Sequence, residues 1–204
     1  MTLLYLIRHG ETDFIGKRLA GWLPGVHLNS RGRAQAEALV KLLSGVHFAA
    51  LYASPLERAV ETAEPLGRAL GLAVELRPRL GEVRPGRWQG QPLGSLRRRK
   101  LWSVVQNAPS LARFPEGESF VESQARVVED LEELRAMHPK KTIACVSHAD
   151  VIKLAIAHYL GLPLDMFHRL SVAPASVSVL SVVDGYARLV RLNDTRAGEQ
   201  GPHE

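Results

Sequence analysis

One cysteine, Cys145, stands among 204 residues, which excludes any internal disulfide and the small disulfide-stapled folds with it. Its setting in Thr142-Ile143-Ala144-Cys145-Val146 reads as a buried strand, so a structural thiol is expected rather than a nucleophile. No apolar run approaches the roughly 18 residues that span a bilayer. The opening Met1 to Tyr5 shows neither a basic stretch nor a small-residue cleavage site, so the expectation is a cytoplasmic protein without a membrane partner. Glycines followed by Lys and Ser/Thr in the Walker arrangement are missing, which removes that route to nucleotide binding. The net charge is +5. The densest basic run, Arg97 to Lys100, lacks interleaved aromatics, and no zinc-finger, helix-turn-helix or RNA-binding signature accompanies it. Nucleic acid is therefore not an expected partner, and the run reads as a solvated helix face, with a patch attracting phosphorylated substrates as the alternative.

What is present is ordinary for a globular chain: 46% hydrophobic and 23% charged residues. At this length one core is favoured over two marginal halves, so residues 1–204 are expected to form a single domain, with about 193–204 as a flexible tail. Three short apolar runs, Leu3 to Ile7, Ala49 to Ala53 and Thr142 to Val146, read as strands. Helical periodicity appears at Arg31 to Leu43, Pro55 to Leu70, Ser119 to His138 and Asp150 to Leu160. For the second of these, Ser54 as cap, Pro55 at the first position and Glu57 completing a capping box set the expected start. Strands apolar on both faces and alternating with helices argue for an α/β fold, a three-layer sandwich whose mostly parallel sheet is covered on each side. Ser176 to Val183 and Tyr186 to Leu192, joined by Asp184-Gly185, read as a hairpin that adds an antiparallel edge. Gly81 to Gly117 is the least regular stretch, with one short helix expected near Ser95 to Val105.

In open α/β sheets ligands collect at the carboxyl ends of the strands. There the sequence places Arg8-His9-Gly10-Glu11-Thr12, then Ser54-Pro55-Leu56-Glu57-Arg58, then Ser147-His148-Ala149-Asp150. Guanidinium forks and helix N-termini both favour a phosphate dianion, so this edge is the candidate site.

The four segments RHGET (Arg8 to Thr12), SPLERAVETA (Ser54 to Ala63), LGEVRPGRWQG (Leu80 to Gly90) and VSHADVIK (Val146 to Lys153) together resemble the histidine phosphatase superfamily, specifically its cofactor-dependent phosphoglycerate mutase branch. The resemblance implies that His9 is the nucleophile that becomes phosphorylated, that Arg8, Arg58 and His148 hold the phosphoryl oxygens, and that Glu82 donates the proton. Thr12, Gly21 and Ala149 fall in its substrate-binding segments. Physical chemistry is consistent with those roles. Cations around His9 disfavour its imidazolium, leaving a nitrogen free to attack phosphorus while a nearby carbonyl holds the other ring proton. Gly10 is expected to let the backbone pass close to the ligand. Two arginines and a protonated His148 are expected to neutralise the transferring phosphoryl group, so that no metal and no cofactor are required. Glu75 and Glu11 are the rival acids; His27, His47, His138, His158, His168 and His203 read as surface or structural.

Departures from the family pattern bear on substrate. Ile15 stands where many relatives have Asn, Ala20 where they are often polar, and Ala149 where glycine frequently follows the second histidine. Val83 to Trp88 lacks the acidic-Arg-aromatic-Gly run of true phosphoglycerate mutases. The expectation is a metal-independent phosphomonoester hydrolase acting through phosphohistidine on a small phosphorylated metabolite. A mutase, and a non-catalytic phospho-ligand-binding member of the fold, are the alternatives. A homodimer is left open, and Trp22, Trp88, Arg84 and Arg87 are candidates for the pocket entrance.

Overall fold

A computed structural model describes residues 1–183 and 186–197. The chain runs β1 (Thr2–Arg8), α1 (Ser30–Leu43), β2 (Ala50–Ala53), α2 (Glu57–Leu70), β3 (Val74–Leu76), α3 (Leu93–Leu96), α4 (Lys100–Asn107), α5 (Phe120–Met137), β4 (Thr142–Ser147), α6 (Ala149–Tyr159), β5 (Val177–Val183) and β6 (Tyr186–Asp194), with short 3-10 turns between. The sheet order is β3-β2-β4-β1-β5-β6. β3, β2, β4 and β1 are mutually parallel, and β5 and β6 add the antiparallel side.

Period-two alternation divides the core. In β4, Ile143 and Cys145 face the layer of α5 and α6, with Phe120, Leu131, Ile152 and Ile156. Ala144 and Val146 face α1 and α2, with Leu39, Leu43, Ala63 and Leu66. The three expected layers are therefore present, and Cys145 is buried with its thiol pushed up by desolvation. Among the described residues no helix is long and apolar enough to cross a membrane.

Several local expectations are corrected. α2 starts at Glu57 with no side-chain cap. The Ser54 hydroxyl receives the Leu56 N–H at 3.3 Å and lies 2.8 Å from His148 Nε2, so it serves a loop and a histidine rather than a capping box. A capping box does open α5, between Ser119 and Glu122. The single helix near Ser95 to Val105 is two, α3 and α4, separated at Arg97 to Arg99. β3 was not legible, because Val-Glu-Leu is short and largely exposed and has no apolar run. β6 runs through Asp194 and Ala197 is buried, so the described start of the expected tail is ordered structure. Residues 198–204, His203 among them, and the Asp184-Gly185 turn lie outside the described residues.

Gly10 also meets a packing constraint. A Cβ there would meet Gly32 O at 2.6 Å, and a Cβ on Gly32 would meet Glu11 O at 2.1 Å. The two glycines let the chain leaving β1 cross the first turn of α1, which Asn29 caps by accepting from Gly32 N at 2.8 Å. Helix propensity alone favours Gly32→Ala by about 1 kcal/mol. The backbone clash predicts the opposite sign, a net loss of roughly 1–3 kcal/mol, measurable as a lower urea midpoint; a raised midpoint would show that the crossing is not tight.

Candidate active site

Strand register assembles the site. Arg8 pairs with Ser147 and Ala53 with Val146, so β1, β2 and β4 end at one level. The next residues, His9, Ser54 and His148, emerge side by side: His9 N–H donates to Ser147 O at 2.9 Å and Ser54 N–H to Val146 O at 2.9 Å. Arg58 joins them from the second position of α2, whose Thr62 hydroxyl donates to Arg58 O and accepts from Gly10 N–H at 3.0 Å. A cavity of about 290 Å³ opens here, lined by Arg8, His9, Thr12, Gly21, Arg58, Glu82 and Ala149 among others. His148 is fully buried behind His9, the two ring centroids 5.2 Å apart.

The polar atoms divide into those held and those left over. His9 Nδ1 lies 2.7 Å from Gly10 O, so a neutral ring keeps its proton there and leaves the Nε2 lone pair bare. Arg8 Nη1 donates to Val172 O at 2.7 Å, and Arg58 Nη2 to Gly21 O at 2.9 Å. Gly21 holds φ +55°, and a Cβ there would strike the Pro85 ring at 2.6 Å. Left without partners, though buried, are Arg8 Nε, Arg58 Nη1 and His148 Nδ1. Native proteins rarely bury unpaired polar atoms, and two guanidinium donors at one cavity mark a place for an acceptor-rich ligand.

Burial first, then the neighbouring Arg58 and Arg8, push His9 well below the usual histidine range. The same causes act on His148, where burial leads and Arg58, His9 and Arg8 follow. In the ligand-free site an imidazolium at 148 is therefore disfavoured, because removing a third cation from water beside two arginines is costly. Glu82 moves the other way. Burial and the nearby Asp150 raise its carboxyl to about 7, against the pull of Arg58, the Val83 N–H and Arg8. Its Oε1 accepts from Val83 N–H at 2.9 Å and its Oε2 lies 3.8 Å from His148 Nδ1.

Glu82 rides on a pinned loop. Ser147 Oγ donates to Leu80 O at 2.6 Å, Trp22 Nε1 to Glu82 O at 2.6 Å, and Arg126 Nη1 to Gly81 O at 3.0 Å. Arg126 is itself held by Glu118 at 3.0 Å. Arg126 carries no sequence signal, since a polar side chain inside α5 reads as one more exposed position, and Trp22, expected at the entrance, instead holds the Glu82 carbonyl. The rivals to Glu82 lie elsewhere: Glu11 accepts from Asn29 Nδ2 at 3.0 Å, and Glu75 is exposed on β3. Trp88 is 1% exposed and packs in the core, so it does not shape the entrance, and none of Arg97 to Lys100 lines the cavity. His138 and His168 bond to Tyr52 and Val105 O, His27 pairs with Glu61, and His47 and His158 are exposed. Among the described residues no group of three His, Cys, Asp or Glu is arranged to hold a metal ion.

The model of the histidine phosphatase superfamily (branch 1) matches residues 4–195. The adenosylcobalamin/alpha-ribazole phosphatase of Escherichia coli K12 is 32% identical over 198 residues, covering 96% of this chain and 97% of the relative. Phosphoserine phosphatase 1 of Hydrogenobacter thermophilus is 30% identical over 200 residues, covering 96% and 93%. Among solved structures, YhfR of Bacillus stearothermophilus superposes with a TM-score of 0.91 at 30% identity, over 98% of this chain and all of that one. With a strand-end histidine pair, one buried and one half-buried arginine and that match along nearly its whole length, the chain belongs to the histidine phosphatase superfamily.

Proposed function

We propose that the protein hydrolyses small phosphomonoesters through a phosphohistidine formed on His9, without a metal. The observation that carries this reading is the pair of buried, unpartnered guanidinium donors, Arg8 Nε and Arg58 Nη1, beside an imidazole whose Nε2 is bare, with His148 Nδ1 a third unpartnered nitrogen. A phosphoryl group offers the acceptors those donors lack. His9 Nε2 attacks phosphorus, the bond to the leaving oxygen breaks, and that oxygen takes the proton of Glu82. The resulting Glu82 carboxylate then removes a proton from water, whose oxygen attacks phosphorus. The N–P bond breaks, free phosphate leaves, and Glu82 is protonated again. The guanidiniums supply the charge that a metal supplies in many other phosphoryl transferases.

A cavity of about 290 Å³ lies at the small end of ligand sites, which supports a compact substrate. Beyond the phosphoryl position its wall is apolar at Phe14, Ile15, Leu19 and Leu93, and polar at the Asp150–Lys153 ion pair, 3.2 Å apart. The relatives named above as phosphatases favour water over a second substrate as the final acceptor.

Rapid quench with a labelled phosphomonoester is expected to trap acid-labile, alkali-stable phosphate on the wild-type chain, in chelator as well as without it, and none on His9→Ala. Label retained in that variant, or lost with chelator, overturns the reading. A second outcome concerns stability. An ordinary glutamate near 4.5 is raised to about 7 in the folded protein. The folded chain therefore keeps a proton that the unfolded one loses, and stability falls as pH rises from about 4.5 to 7. Glu82→Gln removes that slope, so its stability relative to wild type is expected to climb by roughly 3 kcal/mol across this window. Parallel pH profiles of the urea midpoint would place Glu82 in water.

A further inference from the structure

The reading above needs His148 Nδ1 to carry a hydrogen, because a bare nitrogen there would repel a phosphoryl oxygen. A neutral imidazole has one hydrogen and two nitrogens, and something must decide between them. We infer that Ser54 decides: its hydroxyl donates to His148 Nε2, so the ring's hydrogen is held on Nδ1, the nitrogen on the side of the cavity-lining Glu82, whose Oε2 is 3.8 Å away. This inference rests on the proposed phosphoryl role of His148.

The assignment follows from counting donors and acceptors. Ser54 and His148 are both fully buried, and Ser54 Oγ lies 2.8 Å from Nε2. The same oxygen already accepts from Leu56 N–H at 3.3 Å. If Nε2 carried the hydrogen, Ser54 Oγ would accept two N–H groups, and its own hydrogen would have no acceptor in a place without access to water. If Ser54 donates to Nε2, the hydroxyl both gives and receives, and Leu56 N–H is satisfied as well. The remaining ring atom is then Nδ1–H, the buried atom without a partner. Burial beside Arg58, His9 and Arg8 keeps the ring from holding both hydrogens at once.

The two histidines thereby receive opposite tasks by one device. Gly10 O holds the hydrogen of His9 on Nδ1, away from the cavity, and bares Nε2. Ser54 occupies Nε2 of His148 and leaves the hydrogen on Nδ1, on the side of Glu82. Ser54 is a positioning residue on this account: it reaches the phosphoryl group only through His148. It occupies the place where the sequence pattern points to a helix cap, yet α2 begins three residues later.

The test is imidazole ¹⁵N–¹H correlation NMR on the ligand-free full chain, combined with pre-steady-state kinetics on nitrophenyl phosphate and with orthovanadate binding. In wild type His148 is expected to show a protonated Nδ1 and a bare Nε2 at neutral pH. Ser54→Ala is expected to shift hydrogen onto Nε2, slow the burst at least tenfold and weaken vanadate by a similar factor, while Ser54→Thr, which keeps the hydroxyl, restores all three. The His9 signal in the same spectrum checks that the site is folded, since its Nδ1 hydrogen depends on Gly10 and not on Ser54. A wild-type His148 carrying its hydrogen on Nε2, or on both nitrogens, overturns the inference, as does a Ser54→Ala chain with unaltered tautomer. Because the tautomer is read without turnover, a failure of Ser54 is distinct from a failure of His9 to become phosphorylated.

Discussion

Two guanidiniums and two imidazoles crowd one largely buried site, with Glu82 and Asp150 the carboxyls nearest them. Arg58 is 1% exposed and both histidines are nearly as buried. Crowding positive charge into a desolvated space costs free energy unless some groups give up their protons. Here the histidines do so, and the arginines, which cannot, are tethered to the carbonyls of Val172 and Gly21. The same crowding makes the cavity receptive to an anion. What that crowding costs, binding an anion relieves, and the same crowding keeps the His9 ring unprotonated, as the proposed mechanism requires of its nucleophile.

The rest of the fold serves to hold that arrangement. Parallel pairing at a common register brings three strand ends level, and the helices that follow two of them carry Arg58 and begin just after His148. The crossing of Gly10 over Gly32 fixes the exit from β1, and Ala175, held at φ +54° behind the site, donates its N–H to His9 O at 3.1 Å. Glu82 comes from a stretch without regular structure, so its position is secured by outside donors: Ser147, Trp22 and Arg126 each take a carbonyl of its loop. A loop carboxyl can then be nearly as well placed as one on a strand.

The sheet and its layers were legible because burial on both faces leaves an unmistakable apolar run, as in Ile143 to Val146, and the strand-end rule then points directly at Arg8, His9, Arg58 and His148. Long-range polar bonds were not. Ser54 reads as a cap because sequence shows only its neighbours along the chain, whereas its partner in space is 94 residues away. Arg126 and Trp22 support Glu82 from comparable distances in sequence and leave no periodic trace. The charge state of His148 is illegible for a related reason: a histidine near an anion site invites a cation, and only the packing reveals how many cations are already there. β3 went unseen because three residues, two of them exposed, carry too little hydrophobic pattern.

The central claim is that one cavity inverts the usual order of protonation, holding a carboxyl protonated while the imidazole beside it stays neutral. Titrating the ligand-free protein by NMR, with ¹³C on the Glu82 carboxyl and ¹⁵N on the His9 ring, measures both directly. The account predicts that Glu82 ionises near 7, at a pH above that at which His9 takes up its second proton. A Glu82 that ionises in the ordinary carboxylate range, with a His9 that titrates above it, would contradict the account.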